Sequence, residues 1–162
     1  MAVRALQARP RHALAYRRIL VPLVPNLESE TAMALAAELA EDRGSSITAV
    51  VVVEVSPELP LEAHMLDEEA QAKRTLDDAH AIGNARGVHV HTRTLRARQA
   101  GEAIVEEAER SRADLVVLRA PRQNGRRKIF GKTVDYVLRH APCRVMVAAP
   151  PSPACARPTP LS

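Results

Sequence analysis

Residues 114–147 read DLVVLRAPRQNGRRKIFGKTVDYVLRHAPCRVMV, and this stretch decides the fold of the chain. Its two short apolar runs, residues 115–118 and 145–147, are unbroken and rich in β-branched residues, which is typical of strands buried on both faces. A loop over residues 119–131 and a helical run over residues 132–140 separate them. The stretch therefore predicts a strand, a loop, a helix and a strand in that order.

The loop in this stretch carries the most concentrated positive charge of the chain. No acid occurs between Leu115 and Val134, whereas six positions are basic: Arg119, Arg122, Arg126, Arg127, Lys128 and Lys132. The loop ends at a predicted helix N-terminus, where unpaired N–H groups and the positive end of the helix macrodipole favour an anion. We therefore interpret the loop as a candidate anion-binding site, the alternative being a solvated basic surface.

The rest of the chain alternates between strands and helices in the same way. Strands are predicted at residues 18–24, 47–55 and 88–95. One helix is predicted to start near Glu28, a second to cover residues 67–86 and a third to cover residues 100–110. Gly44 and Gly87 follow the first two helices, as C-terminal glycines commonly do. The order β-α-β-α-β-α-β-α-β predicts a single α/β domain with a doubly wound parallel sheet and helices on both faces.

Each of these three helices has an apolar stripe that is predicted to face the sheet. The stripes consist of Met33, Leu35, Ala36, Leu39 and Ala40 in the first helix, Ala70, Leu76, Ala79 and Ile82 in the second, and Ala103, Ile104 and Ala108 in the third. In the third helix, a row of glutamates is predicted to face outward.

Residues 88–95 (VHVHTRTL) alternate between two kinds of side chain, which is typical of a half-exposed strand. His89 and His91 share one face and are two potential metal ligands, but no Cys, Asp or third His accompanies them. Polar residues that keep an edge strand from pairing with another sheet are the better interpretation. No metal site is predicted.

The composition of the 162-residue chain is that of one globular domain, with 46% hydrophobic, 26% charged and only 2% aromatic residues. Tyr16, Phe130 and Tyr136 are too few for the stacking platforms of nucleic-acid readers, so no specific nucleic-acid partner is expected. No stretch approaches the ~18 consecutive apolar residues of a membrane-spanning helix. Cys143 and Cys155 form no disulfide framework, which favours a reducing compartment, and we expect a cytoplasmic protein without a transmembrane segment.

Charge and proline content divide the chain into three parts. Residues 1–16 form a predicted flexible basic arm, and the start of the chain carries five arginines with no acid among them: Arg4, Arg9, Arg11, Arg17 and Arg18. Residues 17–149 hold the domain. Residues 150–162 (PPSPACARPTPLS) form a predicted disordered tail.

Two motifs at the ends of the domain resemble the universal stress protein family. The family's domains open with Ile-Leu-Val-Pro, here residues 19–22, and close with Val-Leu-x-x-Ala-Pro-Cys-x-Val, here residues 137–145. The resemblance implies a Rossmann-like five-stranded sheet in the order 3-2-1-4-5 and a homodimer often formed through the last strand. It also implies, for many members, ATP or a related nucleotide at the carboxyl ends of the first and fourth strands.

The run IFGKTVDYVL at residues 129–138 is similar to stress-protein domains attached to amino-acid permeases and cation transporters. Because this chain has no predicted membrane span, the similarity implies a free-standing relative. Its basic arm and loop would then dock onto an acidic protein, a transporter partner or anionic lipid headgroups, since each basic residue near an anionic surface contributes about 1 kcal/mol.

The family's nucleotide motif is Gly, two residues, Gly, nine residues, Gly, then Ser or Thr. Here Arg119 and Arg122 stand at the first two glycine positions and Gly131 at the last, and the loop is one residue shorter unless Gly125 compensates. Val24 replaces the family's acidic residue after the first strand, which contacts the nucleoside. Glycines let phosphate oxygens reach backbone N–H groups, so the departures predict that guanidinium groups bind the phosphate instead.

The resulting candidate ligand-binding residues lie near the ends of the first, second and fourth strands. They are Val24, Val52, Arg119, Arg122, Gly125, Arg126, Gly131, Lys132 and Thr133. Thr133 is expected either to cap the fourth helix or to bond a phosphate. A Walker A loop is not indicated, because Arg126 occupies the position of its first glycine.

These observations favour a regulatory domain that binds a phosphorylated ligand such as ATP, AMP or a cyclic dinucleotide, with no cofactor that the sequence requires. The alternative is a dimeric interaction module that binds no nucleotide and regulates a transporter or another partner. No Ser-His-Asp set, paired carboxylates or metal cluster is recognisable at the expected site, so we expect no catalytic residues and no enzymatic activity.

Overall fold

The computed structural model describes residues 16–25, 29–40, 44–120 and 131–149. Five strands and four helices alternate along these residues, as the apolar pattern predicts. The strands are β1 (Arg18–Leu23), β2 (Ser46–Glu54), β3 (His89–Ala97), β4 (Leu115–Arg119) and β5 (Arg144–Ala148). The helices are α1 (Glu30–Ala40), α2 (Leu66–Ala85), α3 (Ala100–Arg110) and α4 (Lys132–His140).

The five strands form one parallel sheet in the order β3-β2-β1-β4-β5, which confirms the predicted topology. β1 lies at the centre, where Ile19 is in register with Ile47 on one side and Leu115 on the other. From β1 the chain runs outward to β2 and β3 on one side and then returns to β4 and β5 on the other. The junction of β1 and β4 is therefore the point where the strand order reverses, which is where ligands bind in open α/β sheets.

Two hydrophobic clusters occupy the two faces of the sheet. Helices α1 and α2 cover one face together with Ile19 and Val21, and α3 and α4 cover the other together with Leu20. The division follows from the alternation of side chains along a strand. The sheet thus separates two layers of helices, one on each of its faces.

The start of β1 is fixed at the amino end of the sheet. The carboxylate of Asp114 accepts hydrogen bonds from the backbone N–H groups of Arg17, at 2.9 Å, and Arg18, at 3.1 Å. The backbone N–H of Ser46 donates to the carbonyl of Arg17 at 2.9 Å, and Tyr16 is buried. These bonds hold the entry to β1 between β2 and β4.

Several local predictions about turns and edges are also confirmed. Gly44 and Gly87 have φ angles of +62° and +68°, the left-handed region that L-residues rarely adopt. β3 lies at one edge of the sheet with His89 and His91 exposed. All four residues at 115–118 are buried, as expected for a strand with a neighbour on each side.

Three burial predictions are wrong. Val145, Met146 and Val147 are only half-buried because β5 is an edge strand with β4 as its one neighbour. Ala70 is exposed, because the buried stripe of α2 runs through Ala72, Leu76, Ala79 and Gly83. Glu107 does not face outward with the other glutamates of α3; its side chain is only 3% exposed.

Among the strand ends that differ from those predicted, the ends of β1 and β4 bear on the site, and each differs by one residue. β1 ends at Leu23, so Val24 follows the strand instead of closing it, and Arg119 is the last residue of β4 instead of the first of the loop. Arg119 is in register with Ala148 of β5, and this pairing extends the strand. Both differences place the side chains concerned at the carboxyl edge of the sheet.

Candidate ligand-binding site

A cleft of about 330 Å³ opens at the carboxyl ends of β1, β2 and β4. Its walls are mostly apolar and come from the chain after β1, from α3 and from the first turn of α4. The lining includes Val24 and Pro25, Val52 and Glu54, Ala100 and Ile104, Leu118 and Arg119, and Thr133. The cleft therefore lies at the reversal of strand order between β1 and β4.

Four of the predicted site residues line this cleft together: Val24, Val52, Arg119 and Thr133. Lys132 does not line it but faces an adjoining hollow, and Gly131 is the residue before α4. Arg122, Gly125 and Arg126 lie outside the described residues. Four of the six predicted site residues that the structure describes thus lie together at one place in the fold.

The N-terminus of α4 lies beside the cleft, and its N-cap residue makes no side-chain hydrogen bond to the helix because it is a glycine. That residue is Gly131, and the N–H of Asp135 donates to its carbonyl at 3.0 Å. Thr133 lies inside the first turn and lines the cleft, so it is not the capping residue. The positive end of the α4 dipole is accordingly directed toward the Thr133 side of the cleft.

The N-terminus of α3 is occupied by a carboxylate of the protein itself. Oε1 of Glu54 accepts a hydrogen bond of 2.8 Å from the backbone N–H of Ala100, and Gln99, the N-cap residue, makes no side-chain cap bond. A carboxylate at this position stabilises the helix N-terminus in the manner of a cap. Of the two helix N-termini beside the cleft, that of α4 is therefore the better placed for an external anion.

Glu54 is a site residue that sequence reasoning missed. It follows the apolar run of residues 50–53, so it is the acid that ends a buried strand at the carboxyl edge of the sheet. An acid directly after an apolar run was the sequence signal that could have identified this residue. Its bond to Ala100, 46 residues away in sequence, is a tertiary contact that no local pattern predicts.

Arg98 holds the chain directly after Glu54 in place. Its guanidinium donates to the carbonyl of Val55 at 3.2 Å and also to that of Ser56. The segment after β2 is thereby tied to the segment that leads into α3. Both ends of the Glu54–Ala100 contact are fixed by this bridge.

The described residues contain no group of three or more His, Cys, Asp or Glu side chains that could hold a metal ion. Burial raises the pKa of Glu107, with the charge of Arg93 opposing the shift, and burial followed by the charge of Asp114 raises the pKa of the Cys143 thiol. Neither residue lines the cleft.

No helix in the described ranges has the length and apolar character needed to cross a membrane.

Comparison with known proteins agrees with the fold. The model of the universal stress protein family matches residues 15–149. A universal stress protein of Methanocaldococcus jannaschii is 31% identical over 145 residues, which is 84% of this chain and 84% of that protein. UspA from Lactobacillus plantarum is 28% identical with a TM-score of 0.69, covering 82% of this chain and 97% of that chain. The universal stress protein from Archaeoglobus fulgidus in complex with dAMP is 21% identical with a TM-score of 0.67, covering 83% and 99%. The chain belongs to the universal stress protein family.

Proposed function

We propose that the cleft binds a nucleotide or a similar phosphorylated ligand and that the protein acts as a regulatory binding domain, not as an enzyme. The observation that carries the proposal is the combination of an apolar cleft with Arg119 and the α4 N-terminus at the reversal of strand order. The apolar walls suit the uncharged part of the ligand. The guanidinium and the helix dipole suit its phosphate.

Structures of related proteins support the choice of a nucleotide. The A. fulgidus protein was solved with dAMP, an Arabidopsis thaliana universal stress protein with AMP, and a further universal stress protein with cAMP. Each is below 25% identity to this chain, so what they share with it is the fold. The proposal therefore concerns the class of ligand and does not depend on one base or one phosphate number.

The mode of phosphate binding is proposed to differ from the glycine-based one of the family. Arg119 stands at the first glycine position of the motif and lines the cleft. A guanidinium has a planar set of donors that binds phosphate in a bidentate way, whereas a glycine offers only its backbone N–H. The ligand would thus be held by a side chain on the last residue of β4 and by the first turn of α4.

The wall of the cleft that would contact the nucleoside also differs from the family's pattern. Val24, at the position of the family's acid, is 55% exposed and offers no hydrogen-bond acceptor in its side chain. The carboxylate that lines the cleft is that of Glu54 at the end of β2. We expect donor groups on the nucleoside to bond to Glu54 in place of the missing acid.

We also propose an oligomeric state and a class of partner. A homodimer through β5 is proposed because β5 is an edge strand with half-buried apolar side chains. Docking of the basic loop onto an acidic or transporter partner stays a prediction, since residues 121–130 lie outside the described residues.

Isothermal titration with AMP, ATP and a cyclic dinucleotide tests the ligand proposal. We expect saturable binding by the wild type and a loss of at least about tenfold in affinity for Arg119→Glu, because an attractive charge becomes a repulsive one. Lys73→Glu makes the same change of charge on the exposed face of α2, away from the cleft, and should leave affinity within about twofold. If folded wild-type protein gives no heat with any of the three ligands, the proposal is wrong.

A further inference from the structure

A second hollow of about 560 Å³ adjoins the cleft. It lies between the first turns of α3 and α4, and Glu54, Ala100 and Thr133 line both spaces. The cleft alone is at the low end of the roughly 300–1,000 Å³ usual for ligand pockets. The two spaces together offer room for more than one nucleoside, with the first turn of α4 at their junction.

An aromatic pair forms one wall of this hollow. The rings of Tyr136 and His140 are stacked with centroids 4.1 Å apart and an interplanar angle of 22°, and both residues line the hollow. Gly101 of α3 lies against Tyr136: a Cβ at that position would come within 2.9 Å of the Tyr136 ring atom Cδ1. A planar ring is thus held in a defined place between two helices, next to open space.

Most charged groups around the hollow are already bonded within the protein. Arg139 pairs with Asp135 at 3.2 Å, Arg98 donates to the carbonyls of residues 55 and 56, and Glu54 accepts from Ala100. Lys132 is exposed and sits on the first turn of α4, next to Thr133. A cation, Lys132, thus lies beside Thr133, which lines both spaces. The carboxylate of Glu54 also lines both spaces and already accepts the hydrogen bond from Ala100, whereas the far wall of the hollow offers an aromatic surface.

We propose that the cleft and the hollow together bind a dinucleoside polyphosphate, that is, two nucleosides joined through a phosphate bridge. One nucleoside occupies the apolar cleft, the phosphates cross the first turn of α4 at Lys132 and Thr133, and the second base stacks on the Tyr136–His140 pair. This inference rests on the proposed function and specifies the ligand of the same site. The hollow is then the part of the site that distinguishes a dinucleoside polyphosphate from a single nucleotide.

The decisive measurement compares ATP with diadenosine triphosphate by isothermal titration. Both contain three linked phosphates, and ATP carries the larger negative charge, so a preference for diadenosine triphosphate reports the second nucleoside. Stacking of one base on an aromatic side chain corresponds to a gain of about tenfold or more in affinity. We expect diadenosine triphosphate to bind at least about tenfold more tightly than ATP.

Variants at Tyr136 test the assignment of the aromatic wall. Tyr136→Leu should reduce the affinity for diadenosine triphosphate to that for ATP, while its ATP affinity reports that the fold and the cleft are intact. Tyr136→Phe keeps the ring and should keep the preference. Leu138→Ala, on the exposed part of α4 outside both spaces, should do so too.

The outcomes separate this inference from the proposed function. If neither ligand binds and AMP and the cyclic dinucleotide also give no heat, the proposed function is wrong and the inference falls with it. If neither ligand binds but AMP or the cyclic dinucleotide does, the inference alone is wrong. If ATP binds and diadenosine triphosphate binds no more tightly, the inference alone is wrong. It is equally overturned if Tyr136→Leu retains the full preference.

Discussion

Glu107 of α3 is a buried carboxylate held by two guanidinium groups. Nε of Arg110 donates to its Oε2 at 2.9 Å, and Nη1 of Arg93 on β3 approaches its Oε1 at 3.4 Å. Its side chain is 3% exposed, whereas those of Arg93 and Arg110 are 41% and 56% exposed. Burial raises the pKa of Glu107 more than Arg93 lowers it, so the cost of desolvation is the larger effect.

The raised pKa gives stability a defined dependence on pH. Because the folded-state pKa lies above the ordinary value of 4.5, the folded protein binds this proton more tightly than the unfolded chain does. The contribution of Glu107 to the free energy of unfolding is thus greatest below the ordinary pKa and is lost as pH rises through the folded-state pKa. Glu107→Gln should remove this dependence and change stability at neutral pH by no more than about 1 kcal/mol, since both arginines can be solvated.

Urea unfolding of the wild type and Glu107→Gln between about pH 5 and pH 8 measures the effect. The stability of the wild type relative to the variant should fall as pH rises. Glu106→Gln, at an exposed position on the same helix, is the control and should lack this difference. A relative stability that stays constant or increases with pH would contradict the prediction.

At the scale of elements, the contact between α2 and β3 leaves no room for a side chain at Gly83. A Cβ there would lie 2.1 Å from Cγ2 of Val90 and 3.3 Å from the carbonyl of Val88. The N–H of Val88 also donates to the carbonyl of Gly83 at 2.9 Å, so the backbones are in direct contact. The close approach explains a glycine inside a helix, where it costs about 1 kcal/mol relative to alanine.

Gly83→Ala should therefore destabilise the protein despite its better helix propensity. Overpacking by one methyl group typically costs about 1–3 kcal/mol, and Val90 is stiff because it is β-branched. Chemical denaturation of Gly83→Ala, Val90→Ala and the double variant gives the coupling energy between the two sites. The double variant should be more stable than the sum of the single effects predicts, and strict additivity would count against a direct clash.

The elements themselves were predictable, because each apolar run and each glycine stop is a local property of the chain. The composition of an apolar run could not show how many neighbours its strand acquires; the strand order was expected only from the family resemblance. Residues 145–147 look like an interior strand by composition, yet β5 ends at the edge of the sheet. Glu107 belongs to a helix whose other glutamates are exposed, and one of its two partners, Arg93, lies on β3, 14 residues away in sequence.

At the scale of the whole molecule, the site combines segments that are far apart in sequence. Arg119 and Thr133 were predictable because they flank one basic loop, and Val24 because a strand ends there. Glu54 and the walls from α3 were not, since they meet the other segments only through the strand order. The motif locates the cleft, but its chemistry depends on residues outside the motif.

The exposed edge at β5 leads to a prediction about assembly. A two-fold axis that pairs β5 with its copy makes the two strands antiparallel and joins two five-stranded sheets into one. Sedimentation velocity should then give a dimer for the wild type and a monomer for Val145→Lys, because a lysine on an edge strand disfavours pairing. His91→Lys places the same charge on the opposite edge at β3 and should remain dimeric; a monomeric wild type would disprove the assembly.

The bonds from Asp114 to the start of β1 have a practical consequence for attaching the protein to a surface. They hold Arg17 and Arg18 at the amino edge of a parallel sheet, whereas Ala149 follows β5 at the carboxyl edge, where the cleft opens. A label or tether joined ahead of Tyr16 is therefore anchored on the far side of the molecule from the ligand. One joined after Ala149 begins at the same edge of the sheet as the cleft, so the first is suited to immobilisation and the second to a fluorescent reporter of occupancy.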